Sequence, residues 1–159
     1  MENVDPSEAE AVSYTRKLLT DNMKLYQSAK LLGITVSDEE LEKQIQDYIT
    51  DIPQADNFNK EYKKIYEEAG ISLEESAEKN KEFMRFGTMR HMLYRHIRDE
   101  FADGKDTVDG HVYENTEDYY YAYLEHIAYP QIEESVIKDF TEQLDQAEKL
   151  YYEKYGKSS

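Results

Sequence analysis

A chain of 159 residues with 35 acidic and 19 basic side chains carries a formal charge of −16, which argues against nucleic acid and anionic membrane surfaces as partners, since both are held through a basic face. There is no cysteine, hence no disulfide and no thiolate metal site, and no apolar run approaches the ~18 residues that span a bilayer. Six Gly and three Pro leave little turn chemistry for an all-β fold, and fifteen Tyr, five Phe and no Trp mean that much of the buried area comes from rings with a polar tip.

The first helix is announced by Asp5-Pro6-Ser7-Glu8, with Asp5 as cap, Pro6 at the first helical position and Glu8 completing a box-like pattern. It runs to Gly33, and Ala11, Tyr14, Leu18, Leu25, Ala29 and Leu32 share one face, widened by Val12, Leu19, Met23 and Tyr26. Ser37-Asp38-Glu39-Glu40 is a full capping box for a second helix that ends at Ile52-Pro53. A third spans about Asn57 to Ala69, with Phe58, Tyr62, Ile65 and Tyr66 inward and Gly70 as its stop. Ser72-Leu73-Glu74-Glu75 repeats the box and opens a long fourth helix to about Phe101.

On that fourth helix Phe83, Phe86, Leu93, Tyr94, Ile97 and Phe101 form the apolar stripe. Gly87 beside them permits close helix approach, and Arg90 within the stripe calls for a buried or half-buried ion pair. Met84, Met89 and Met92 lie off the stripe, either filling core gaps or forming an adaptable binding surface. Residues 102 to 116 read as a loop whose Asp103-Gly104 and Asp109-Gly110 turns suit a small hairpin. The last stretch, about Glu117 to Tyr155, has an inward face of Tyr120, Tyr121, Leu124, Ile127 and Ala128 before Pro130. Beyond it the face is Ile132, Val136, Phe140, Leu144, Ala147, Leu150 and Tyr151, offset so that Pro130 marks a kink or break. The tail from Gly156 frays. The fold expected is all-α: about five helices in one core, with the long first and last helices packing together.

Chemistry is harder to find. His91 and His96 stand at i,i+5, a poor spacing for two ligands on one helical face, and His111 and His126 add no metal motif. No phosphate loop, EF-hand loop or nucleophile elbow occurs, so no catalytic, metal or cofactor residue is assigned. The run Tyr119-Tyr120-Tyr121-Ala122-Tyr123 points aromatics in several directions, as a helix end packed among neighbours or as an exposed patch that binds peptide. Tyr119, Tyr121 and Tyr123, with Met84, Met89 and Met92, are the candidate polypeptide-binding residues.

Leu32-Gly33-Ile34-Thr35-Val36-Ser37-Asp38-Glu39-Glu40-Leu41, then Phe58 in a third helix, Ala69-Gly70-Ile71-Ser72-Leu73-Glu74-Glu75 and a long helix ending Arg98-Asp99-Glu100-Phe101 follow in a familiar order. This block resembles the N-terminal chaperone region of the SurA/PrsA-type foldases. The resemblance implies a single helical peptide-binding module in which N-terminal helices and a returning C-terminal helix fold together. The family inserts a parvulin-type isomerase of about a hundred residues, an ordinary domain size, where this chain has only residues 102 to 116. It therefore implies a holdase for unfolded or extended polypeptides without isomerase activity, exported to the cell envelope and lipid-anchored ahead of Met1. A helical adaptor that binds one fixed partner, or itself as a homodimer, is the alternative.

Overall fold

The computed structural model describes residues 7–55 and 58–156. The fold is all-α: seven α-helices among the described residues, with two π-helical turns, two 3-10 turns and one two-stranded hairpin. The chain divides into two compact units, Gly33–Met92 and the combined ends Met1–Leu32 with Leu93–Ser159.

Within Gly33–Met92, α2 (Asp38–Asp51) begins at the expected box: Ser37 Oγ accepts from Glu40 N at 3.2 Å, and Glu40 accepts from Ser37 N at 2.9 Å. The expected third helix is shorter, with a π-helical turn at Phe58–Tyr62 leading into α3 (Lys63–Ala69); Asn57 lies outside the described residues. Gly70 closes α3 at φ 64°, a left-handed conformation that glycine adopts without a Cβ penalty. Ser72 and Glu75 then form the next box, opening α4 (Leu73–Lys79). The expected long fourth helix is broken at Asn80, whose backbone N–H and Nδ2 both donate to the Ser76 carbonyl. Such local side-chain bonding competes with helix continuation. The chain resumes as α5 (Lys81–Ala102), which runs from this unit into the other.

The core of this unit is aliphatic: Val36, Leu41, Ile45, Leu73, Ala77 and Met89 are buried. Tyr62 and Ile65, expected to face inward, are exposed, because α3 is a short helix with no buried residue of its own. On α5 the inward row keeps Leu93 and Ile97 of the expected stripe, adds Met89 and leaves Phe83 out. Its buried positions are Met89, Leu93 and Ile97, at four-residue steps, and Phe83 is 69% exposed. Arg90 falls outside that row. It is exposed and lies over the Phe86 ring at 5.9 Å, in place of the expected buried ion pair. The arginine that is held is Arg85, four residues before Met89. Its side chain is 15% exposed, donates to the buried Val36 carbonyl and pairs with Asp38 at 2.5 Å. Gly87 does not serve a close approach either, since a Cβ built there meets no neighbouring atom within 4 Å.

In the unit made by the chain ends, α1 (Glu8–Leu31) is capped two residues later than expected. Ser7 Oγ accepts from Glu10 N at 3.3 Å and Glu10 accepts from Ser7 N at 2.8 Å, while Asp5 and Pro6 lie outside the described residues. Gly33 follows the helix at φ 72°, as its position predicts. α6 (Thr116–Tyr123) passes into a π-helical turn, Leu124–Ala128, and a 3-10 turn, Tyr129–Gln131, before α7 (Glu134–Tyr155). Pro130 marks the break: it has no N–H for the helix ladder, and Gln131 Nε2 bonds the Ile127 carbonyl at 2.7 Å. The expected pairing of first and last helices is present. Arg16 of α1 bridges Asp145 at 2.7 Å and Glu148 at 2.8 Å on α7, and Tyr151 hydrogen-bonds Glu8. The tail residues 157–159 lie outside the described residues.

Candidate functional site

The segment 102–116 forms the hairpin that its turn dipeptides suggest. β1 (Thr107–Val108) pairs antiparallel with β2 (His111–Val112) through Asp109 at φ 55° and Gly110 at φ 78°. Two successive left-handed residues give the tight turn whose twist matches the strands. Val108 is buried, whereas Val112 is 58% exposed.

α6 supplies the aromatic cluster, and its helical period sorts the rings. Tyr119, Ala122 and Tyr123, spaced three and four apart, are buried; Tyr121 points the other way and is 58% exposed. Tyr119 packs 5.3 Å from Phe101, 6.1 Å from Tyr123 and 6.3 Å from Tyr113. These two tyrosines line a cleft of about 420 Å3 with Glu100, Lys105, Asp106 and Ile127. Burial, and then Glu100, push both phenols above their usual range. Lys105 is paired with Glu100 at 2.6 Å, so the cleft's cation is already neutralised. The cluster is thus mainly a core, and Tyr119 and Tyr123 do not present surface to a partner.

Of the six candidate residues, the structure leaves Tyr121 exposed, Met84 and Met92 half-buried, and Met89, Tyr119 and Tyr123 buried. Met89 belongs to the Gly33–Met92 core, where a thioether fills space between α-helices.

What Tyr121 does line is a groove of about 600 Å3 between the hairpin and the outer side of α6. Val112, Tyr113, Tyr121 and Ala122 give it an apolar wall, with His111 edge-on to Tyr113 at 4.6 Å. Glu114, Asp118 and Glu125 stand on its rim, and none of its lining residues is Lys or Arg. Asp118 is engaged at the α6 N-terminus, accepting from Asn115 Nδ2 at 2.7 Å, while Asn115 caps the helix by accepting from Asp118 N at 2.9 Å. His126, also lining the groove, lies 3.4 Å from Asp109 at the hairpin turn. Lys17, which feels Glu125, is paired with Asp21 at 2.6 Å. The groove therefore combines an aromatic wall with a negative rim. Glu125 follows Tyr121 at i,i+4 along one helical stretch, whereas Val112 and Glu114 carry no motif in the sequence and line the groove because the hairpin closes against α6.

Other large apolar side chains are exposed on α1 and α7, among them Tyr14 at 68%, Leu18 at 46%, Leu150 at 64% and Tyr155 at 64%. Among the described residues no group of three His, Asp or Glu is placed to hold a metal ion, and no helix is long and apolar enough to cross a membrane. In comparisons of the chain with protein-family models, curated proteins and solved structures, no match is found.

Proposed function

We propose that this protein is a polypeptide-binding module of the holdase kind, related to the chaperone region of the SurA/PrsA-type foldases and without isomerase activity. The observation that carries the reading is the aromatic groove at Tyr121, on an acidic chain that exposes further apolar side chains on α1 and α7. Aromatic surface gives contact area at low entropic cost and tolerates many sequences, while a charge of −16 keeps a protein with such surface soluble. Two further features support it. The unit Gly33–Met92 coincides with most of the sequence block that carries the resemblance, and the first and last helices pair as such a module requires. The hairpin between α5 and α6 occupies the place where the family inserts its isomerase. The cell-envelope location belongs to the same proposal and rests on the resemblance alone.

The exposed stripe on α1 favours a second reading, an adaptor that docks one fixed partner helix or a second copy. Tyr14 and Leu18 continue the line that is buried at Ala29. Light scattering of a chemically denatured client, with and without the protein, separates the two. A holdase suppresses aggregation of several unrelated clients at modest molar excess. Absence of protection together with one tight stoichiometric complex identifies the adaptor. A proline-limited refolding assay run in parallel is expected to show no acceleration, and measured turnover would overturn the isomerase-free part of the proposal.

A further inference from the structure

Resting on that reading, we infer that the groove between the hairpin and α6 selects extended segments in which an apolar or aromatic residue is flanked by lysine or arginine. The shape comes first. Tyr121 and Val112, each 58% exposed, offer an apolar wall in a space of about 600 Å3, enough for one large side chain and its neighbours. The charge then decides which neighbours. Glu114 and Glu125 stand at the rim with Asp118, no Lys or Arg lines the groove, and Lys17 near Glu125 is occupied by Asp21. An acidic segment would meet uncompensated repulsion there, whereas a basic one gains attraction at each rim position. Tyr121 adds an aromatic face over which a guanidinium or ammonium can lie.

Fluorescence anisotropy of labelled peptides with the full chain tests this. The probes are a short unstructured peptide with lysines on both sides of one phenylalanine, the same peptide with glutamates for lysines, and the lysine peptide with serine for phenylalanine. Only the first is expected to bind well, and added salt should weaken it. Glu114→Gln combined with Glu125→Gln should raise its Kd about fivefold, the scale of two exposed charge contacts. Tyr121→Ser should raise it by a similar factor through lost aromatic contact. All three replaced side chains are exposed, and circular dichroism checks that the helices persist. Equal binding of the lysine and glutamate peptides, equal binding without phenylalanine, or unchanged affinity in the variants would overturn the inference. The holdase reading is judged separately. Client protection with no peptide preference refutes the groove and leaves the holdase standing; selective peptide binding without client protection does the reverse.

Discussion

The unit Gly33–Met92 and the unit built from the chain ends meet the same difficulty, an acidic chain with few large aliphatic side chains, in different ways. The first buries six aliphatic positions, Val36, Leu41, Ile45, Leu73, Ala77 and Met89, and begins two of its helices with local Ser/Glu boxes. The second also buries Leu93, Ile97, Val108, Leu124, Ile132 and Leu144 but adds rings to them: Tyr119 and Tyr123 are buried, Phe101 and Tyr113 pack against Tyr119, and the Arg16 bridge to Glu148 ties positions near the two ends of the chain. Rings with polar tips must end near polar partners or solvent. That requirement places Tyr119 and Tyr123 in a cleft beside Glu100 and Lys105, and it leaves the opposite side of α6 as a groove wall. The unit of the chain ends therefore holds both the buried tyrosine pair and the groove wall at Tyr121.

Core truncations test that contrast most strongly. Tyr119→Ala is expected to cost about 4 kcal/mol and Leu41→Ala about 3 kcal/mol, the range for large buried side chains cut to Ala. Chemical denaturation gives the totals. Hydrogen exchange locates the damage: Leu41→Ala should speed exchange within 33–92, and Tyr119→Ala within 93–128. Acceleration of both regions by either variant would mean that the chain unfolds as one block, and the comparison would lose its thermodynamic content.

Next in size is Arg85. Its replacement by Ala should cost about 1–2 kcal/mol, because the buried Val36 carbonyl loses its donor and the arginine stem its packing. Arg90→Ala should stay within about 0.5 kcal/mol, as for other exposed positions. The reverse order in thermal denaturation would show that α5 turns the other face inward. Gly87→Ala is expected to stabilise by about 0.5–1 kcal/mol, since the added methyl meets open space and alanine favours a helix interior. A loss instead would reveal a neighbour close to that face.

The smallest effect is one of pH. The Arg85 hydrogen bond and charge hold the Asp38 carboxyl below its usual range. A carboxyl depressed in the folded state stabilises the fold fully above its unfolded value, near pH 4, and the contribution disappears as pH falls through the lower folded value. Asp38→Asn should lose that contribution at neutral pH, a small one because Asp38 is largely exposed, and converge with the parent in acid, so that its acid limb is shallower. An identical acid limb in both proteins would show that the pair contributes nothing measurable.

The sequence by itself determined the all-α class, the boxes at Ser37 and Ser72, the glycine stops at Gly33 and Gly70, the break at Pro130 and the turn at Asp109-Gly110. Each depends on a few adjacent residues whose hydrogen bonds close within one turn, so local chemistry suffices. The tertiary structure alone decided which of several apolar faces is buried. α5 is apolar on more than one side, and hydrophobicity alone does not say that Met89 joins Leu93 and Ile97 inside while Phe83 of the same stripe stays exposed; the neighbouring helices decide that. That choice moved the held arginine from Arg90 to Arg85 and put Met89 inside. It likewise split the tyrosine run into a buried pair and the exposed Tyr121, and it brought Val112, Glu114 and Glu125 together. Glu125 stands one helical turn after Tyr121, but Val112 and Glu114 reach that side of α6 only when the chain folds back, and no spacing in the sequence encodes that distance.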